Sequence, residues 1–510
     1  LQPDDAIPVD AANVRKDRTV TVLARTPVQE VADWSARMVG LDEPAPLADG
    51  RLTRHINLDN AASTPPLRDV VEAVQRFLPW YSSVHRGTGY KSRVSTAAYD
   101  EAHDVVARFV GADTGRNTVI FGRNTTDALN KLAFRYPLSD RDVILTTVME
   151  HHSNDLPWRG RAEIVRAGVT PDGRLDEADI DRLFARHGSR IALVVVSGAS
   201  NVTGFVQPIH RLARRAHDVG ASIVVDAAQL APHRRLDMRT DDDPEHLDFV
   251  ALSGHKMYAP FGAGALVGRR DVFLADGPEY RGGGTVAIVT DTDVEWADLP
   301  DREEAGSPNV VGAVALATAA RVLMDVGMEQ IARHEAALTT YALERLRTVP
   351  TVRVYGDAHP TVGAGPDDLV DRVGVIAFNV GDIPHALVAA VLAEEGGIAV
   401  RSGCFCAQPY VARLLGLSDA ELARTHRAQR AGDRSQRPGM VRISLGVYNT
   451  PDDVDRAIEM LARIARGEFE RRYRVVAATG AWEAIDRGQP LPAPGDWFRG
   501  ASPVRLAAGS

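Results

Sequence analysis

Between residues 65 and 330 the chain repeats one pattern: a stretch with helical periodicity, then an apolar run too short to be a helix. The runs are TVIFG, DVILTT, ALVVVSG, SIVVDAAQ, DFVALSG and GALVG. Apolar runs that alternate with helices are the signature of strands in a mostly parallel sheet with helices on both faces. The pattern predicts an α/β large domain over residues 65–330. In such sheets the side chains that do chemistry collect just past the carboxyl ends of the strands, where loops open into a crevice. A long helical stretch follows, then VRVYG, RVGVIAFNV, PHALVAAVLAEE and GIAVRSG, which predict a smaller α+β domain over 331–473 carrying a cysteine-containing loop. Residues 1–64 read as an N-terminal extension with an amphipathic helix around VQEVADWSARMVG, ending in a segment that packs with the small domain. Residues 474–510, rich in Gly and Pro, read as an extended or partly disordered tail.

Charge removes several classes of function. Lys+Arg 59 against Asp+Glu 68 leaves a net charge of -9, and the basic side chains are scattered without interleaved aromatics, so nucleic acid is not an expected partner. No apolar run approaches membrane-spanning length, so no membrane association is expected and a cytoplasmic location is the default. Position 1 is Leu, which leaves open a processed chain or a piece of something larger. Only two cysteines occur, Cys404 and Cys406, in RSGCFCAQP. A thiolate-rich metal site needs about four ligands, so no metal is expected. Thiols two positions apart on an extended segment are too far apart for an unstrained disulfide. A reactive thiol remains, beside the plainer alternative of a buried, inert cysteine.

Two of the strand ends deliver a matched pair of groups. SIVVD ends in Asp226, and DFVALSGHK presents Ser253, His255 and Lys256. Taken singly, the acid reads as a helix cap and the lysine as a solvated loop residue. Taken together they fit a pyridoxal 5'-phosphate site, in which a lysine binds the cofactor's aldehyde and a carboxylate keeps the pyridine nitrogen protonated. Such a cofactor needs a phosphate cup of helix-start amides and hydroxyls. GRNTTDALN offers Thr125 and Thr126 for it, with simple N-capping as the alternative, and Ser253 and His255 complete it.

The ordered set NLDNAAS, VHRG, NTTDALN, MEHHSNDLPW, SNVTG, VVDAAQ, SGHKMYAPFGAGAL, RGGGT, EEAGSPN, RSGCFCAQP and VRISLGVYNT resembles the class V pyridoxal phosphate enzymes. Nearest among them are the group II cysteine desulfurases, also called selenocysteine lyases. The resemblance covers about residues 57–470. It implies the fold type I architecture, with a seven-stranded sheet, and a homodimer with a shared active site. Under it Lys256 holds the cofactor, Asp226 faces the pyridine nitrogen and Gln229 the ring hydroxyl. His151 stacks on the ring and relays protons, and Asn201 lies beside cofactor and substrate. Thr126, Ser253 and His255 bind phosphate, joined by Thr285 from the second subunit. Arg442 clamps the substrate carboxylate, with Arg401 nearby. Cys406 takes the place of the nucleophile that leaves alanine and a persulfide.

Two departures from the family pattern stand out. The pattern R-[ST]-G-H-H-C-A-Q-P has histidines where this chain has Cys404 and Phe405, so activation of Cys406 falls to Arg401, the cofactor's field or His151. Cys404 is then either an auxiliary sulfur acceptor or a small-residue substitution. A charged insertion at about 415–438 reads as a lid, a specificity element, a docking surface or a solvated excursion. The alternative activity is a carbon-sulfur β-lyase releasing pyruvate and ammonia, acting on cysteine or a larger cysteine conjugate, with a sulfur acceptor or a multienzyme as partner. Class V epimerases and aminotransferases share the lysine chemistry. A non-catalytic relative would have lost Lys256 or Asp226, and both are present.

Overall fold

The computed structural model describes residues 34–138, 141–356 and 371–485. The first half of the expected N-terminal helix and the tail beyond 485 lie outside the described residues; Ser35–Arg37 form a single 3-10 turn.

Strands β1 (Asn117–Gly122), β2 (Val143–Thr147), β3 (Glu163–Ala167), β4 (Ile191–Ser197), β5 (Ser222–Asp226), β6 (Phe249–Ser253) and β7 (Gly264–Arg269) form the expected 7-stranded sheet, in the order β1-β7-β6-β5-β4-β2-β3. Only β7 runs antiparallel to its neighbours β1 and β6; the other pairs are parallel. Every residue of β4 and β5 is buried. Both strands are continuous apolar runs because helices cover both faces of the sheet. Edge strand β3 was not among the apolar runs, since Glu163 and Arg166 break it and it is only half-buried.

In the small domain β8 (Val352–Tyr355), β9 (Val375–Val380), β10 (Arg401–Gly403) and β11 (Met440–Ser444) form an antiparallel sheet in the order β8-β9-β11-β10. The helices that matter below are α1 (Tyr90–Phe109), α2 (Thr125–Arg135), α3 (Val310–Val326), α4 (Met328–Arg347), α5 (His385–Gly396), α6 (Asp419–Arg430) and α7 (Pro451–Ala465). Buried Phe378, Leu392, Leu461 and Leu346 build the small domain's core between its sheet and α4, α5 and α7, each such side chain contributing roughly 1.5–3 kcal/mol. Ile56–Asn57 pair in parallel with Ile398–Ala399, which joins the N-terminal segment to this domain. Among the described residues no single helix is long and apolar enough to cross a membrane.

The insertion folds as α6, which opens with a Ser418/Glu421 capping box and buries none of its residues. The start of the expected tail is not extended chain. Tyr473–Val476 and Ala481–Ala484 form a hairpin whose Tyr473 and Trp482 pack on the small-domain core. Arg434 of the insertion donates its backbone N–H to Ala477 O of this hairpin at 2.8 Å, so the two segments brace each other.

Candidate active site

Where the carboxyl ends of β4, β5 and β6 meet the small domain lies a cavity of about 540 Å³. Twelve of the thirteen residues singled out from the sequence line it: Thr125, Thr126, His151, Asn201, Asp226, Gln229, Ser253, His255, Lys256, Arg401, Cys406 and Arg442. Thr285 does not. It is fully buried elsewhere, and its hydroxyl donates to Gly282 O at 2.8 Å.

Asp226 and Lys256 reach the cavity by separate routes. Asp226 is the last residue of β5, buried, with Oδ1 accepting the Ala228 N–H at 3.0 Å. Burial raises its carboxyl above the usual range. Lys256 follows β6 in the short turn Gly254–Lys256. Burial pushes its amine down to about 8, against the opposing pull of Asp226. A sizeable fraction is therefore uncharged near neutrality and able to attack an aldehyde. His151 is pushed down to about 3, first by burial and then by Lys256. Its Nδ1 accepts the Ser153 N–H at 3.1 Å, so the neutral ring carries its proton on Nε2. This imidazole is a flat, uncharged surface with one N–H to donate.

At the head of α2 the cap is Asn124, whose side chain accepts from the Asp127 N–H at 3.0 Å. Thr125 is not the cap, and its buried Oγ1 has no partner; Ser253 Oγ is in the same condition. Unpartnered buried hydroxyls are costly unless something else satisfies them. Two of them beside a helix N-terminus form a site for an oxyanion. Thr126 contributes less directly, since its Oγ1 lies 2.7 Å from Ser153 Oγ. Gln229 spends its Nε2 on Ala61 O at 2.7 Å. The cavity thus supplies an amine of lowered basicity, a buried acid and orphaned hydroxyls, and these fit pyridoxal 5'-phosphate.

Opposite them is the cysteine loop. Ala407 N–H donates to Cys404 O at 2.8 Å, closing a turn in which Phe405 (φ 52) and Cys406 (φ 55) are both left-handed. The loop is therefore no extended segment, and both thiols are free. Each left-handed non-glycine residue costs about 1–2 kcal/mol, so neighbours must hold the turn. His152 N–H donates to Cys406 O at 2.7 Å, and Asn201 Nδ2 to Phe405 O at 2.6 Å. The result leaves Cys406 exposed over the cavity. Asn201 thus serves the loop directly.

Arg442, on β11, is buried. Its Nη2 donates to Asp59 Oδ1 at 2.9 Å and its Nη1 to Asn201 O at 3.1 Å, while Nε has no partner. Asp59 also meets Arg401 Nε at 3.2 Å. One carboxylate thus spans both arginines. Phe405 lies under the Arg442 guanidinium, 5.0 Å from ring centroid to Cζ. Asp59 lies in NLDNAAS, and its pairing across 383 residues is not visible in a single sequence. Glu150 was also missed. It is buried, accepts from Thr147, Asn154 and Ser197, and burial pushes it up to about 7.

The chain is similar to known proteins over most of its length. A cysteine desulfurase of Haloferax volcanii is 34% identical over 471 residues, spanning 90% of this chain and 98% of the relative. The structure of an apo cysteine desulfurase from Thermococcus onnurineus NA1 superposes with a TM-score of 0.68 at 32% identity, covering 81% of this chain and 95% of that one. The cysteine desulfurase CsdA of Escherichia coli, in an S-sulfonic acid form, gives 0.69 at 29% identity over 87% of this chain and 100% of its own. With the aminotransferase class-V pattern matched across residues 56–457, from the strand before Asp59 to the helix after Arg442, the chain belongs to the class-V aminotransferase family.

Proposed function

We propose that this chain is a pyridoxal 5'-phosphate-dependent cysteine desulfurase, converting L-cysteine to alanine and leaving the sulfur on Cys406. The observation that carries the reading is the exposed Cys406 thiol on a braced turn, facing the cavity that holds Lys256, Asp226 and Arg442. Bound there, the cofactor supplies an aldehyde for an amino group and a ring that accepts electrons.

The chain's own residues divide the work. Lys256 would hold the aldehyde, and its lowered basicity suits it to accept the proton from the substrate Cα. Asp226, at the end of β5, would keep the ring nitrogen protonated. His151 would offer its neutral face and Nε2–H to the ring, and Gln229 would serve the ring hydroxyl. The α2 N-terminus, Thr125, Thr126, Ser253 and His255 hold the phosphate. Arg442 takes the substrate carboxylate through its unpartnered Nε and through whichever N–H Asp59 releases, with Arg401 sharing that carboxylate's charge. Cys406, as thiolate, attacks the substrate sulfur. A thiol that must stay reduced suits the cytoplasm.

A homodimer completes the account. Ile288, Val289 and Val294, in the hairpin that follows Thr285, are exposed apolar residues, as is Tyr280 before it. Thr285 at the head of this hairpin is fully buried with its hydroxyl on Gly282 O, so for it to meet the partner's phosphate that loop must open on dimerisation.

Product analysis with L-cysteine tests the reading. Wild type yields alanine and a protein persulfide, both lost in Cys406→Ala. Pyruvate and ammonia persisting in Cys406→Ala would instead make the protein a β-lyase. An S-substituted cysteine run in parallel shows whether a larger conjugate is preferred.

A further inference from the structure

The two departures from the family pattern touch each other. Arg437, at the end of the insertion, donates from Nη2 to Cys404 Sγ at 3.0 Å, and both residues line the active-site cavity with Cys406. Arg437 is held in place by its backbone: His385 Nε2 donates to Arg437 O at 3.0 Å, and Asn379 Nδ2 to Gly439 O at 3.2 Å. Gly439 packs so closely on Gly403 that a Cβ there would lie 2.6 Å from the Gly403 Cα. The insertion is thereby clamped onto the strand that leads into Cys404. A cysteine that merely fills space is surrounded by apolar atoms. This one packs at the edge of the apolar core with a guanidinium N–H directed at its sulfur.

We propose that Cys404 is a second sulfur-carrying site, loaded from Cys406; this rests on the desulfurase reading above. The tight turn places the two cysteines at its first and third positions, and a persulfide extends the reach of Cys406 by one sulfur atom. The Cys404 thiolate, held by Arg437, attacks the outer sulfur of the Cys406 persulfide. A new bond forms between Cys404 Sγ and that sulfur as the bond to Cys406 Sγ breaks. Cys406 leaves as a thiolate, and the transferred sulfur keeps its hydrogen. One sulfur–sulfur bond replaces another, so no oxidant or reductant is consumed. Cys406 is then free to turn over again before any acceptor arrives, and the enzyme stores two sulfurs per chain.

The test is a rapid-quench count of alanine from the holoenzyme with a few equivalents of L-cysteine, without acceptor or reductant, followed by alkylation and fragmentation of the tryptic peptide Ser402–Arg413. The expected burst is two alanines per chain in wild type and one in Cys404→Ala and Cys404→Ser, with persulfide found on both cysteines in wild type. Arg437→Gln slows the second alanine relative to the first. A wild-type burst of one, with persulfide only on Cys406, overturns the transfer while leaving the desulfurase reading intact. A burst of one with free sulfide and a Cys404–Cys406 disulfide also overturns it, since Cys404 has then attacked the inner sulfur. No alanine from any variant sinks the desulfurase reading itself.

Discussion

Lys256 offers a quantitative check on the site, because its role depends on how much of it is uncharged. Burial takes the amine from its usual 10.5 to about 8. At pH 7 this raises the uncharged fraction from roughly three in ten thousand to about one in ten, a gain of about 300-fold. The rate at which apoprotein captures pyridoxal 5'-phosphate, followed by the change in visible absorbance, should therefore rise about tenfold per pH unit up to about pH 8 and level off above it. Asp226 pulls the amine upward, so Asp226→Asn should move the midpoint lower. Stability follows with a definite sign. Between pH 8 and 10.5 the unfolded lysine holds a proton that the folded one has released, so apoprotein stability rises with pH in that window. Below it the burial of this amine costs about 3 kcal/mol, and Lys256→Met apoprotein should be more stable than wild type at pH 7. A capture rate that keeps climbing past pH 10, with no gain in the methionine variant, would refute the argument that burial sets this residue's chemistry.

Other expectations follow from the same geometry. Ser253→Ala and Thr125→Val remove hydroxyls that have no partner in the apoprotein, so the apoprotein's thermal midpoint should hold or rise. Each loses a hydrogen bond to a charged phosphate, about 1.5–3 kcal/mol, and cofactor affinity by equilibrium dialysis should fall at least tenfold. Glu150 is raised from 4.5 to about 7 and so keeps its proton in the folded state while the unfolded chain has released it. Urea midpoints should accordingly fall as pH rises from about 5 to 7, and Glu150→Gln should flatten that decline. If Thr285 serves the partner's site, a heterodimer of Lys256→Ala and Thr285→Ala subunits contains one site with both residues intact. It should recover about half of wild-type activity, whereas a role for Thr285 within its own subunit leaves the heterodimer with about half the activity of the Thr285→Ala homodimer.

Much of the scaffold was legible because its signals are local. The central strands β4, β5 and β6 are unbroken apolar runs, and the residues at their ends, Asp226 and Ser253 with the nearby Lys256, point into one crevice as parallel-sheet geometry requires. What was less legible depends on partners far away in the chain. Asp59 becomes visible only when it lands between Arg401 and Arg442. Edge strand β3 has charged residues where an inner strand would be apolar. In the cysteine loop the residue types give no sign of a left-handed turn; neither Phe405 nor Cys406 favours positive φ, and distant Asn201 and His152 hold them there. Likewise the hairpin at 473–484 is fixed by Tyr473 and Trp482 finding the small-domain core, and Tyr473 OH donating to Glu395 Oε1 at 2.9 Å, not by its own composition.

The central claim is that sulfur leaves cysteine onto this protein and not into solution. Mixing holoenzyme with one equivalent of L-[35S]cysteine per chain, without acceptor, tests it most directly. The account predicts alanine in solution and label bound to the peptide Ser402–Arg413, released by dithiothreitol and absent from Cys406→Ala. Label appearing as free sulfide alongside pyruvate, undiminished in Cys406→Ala, would contradict it.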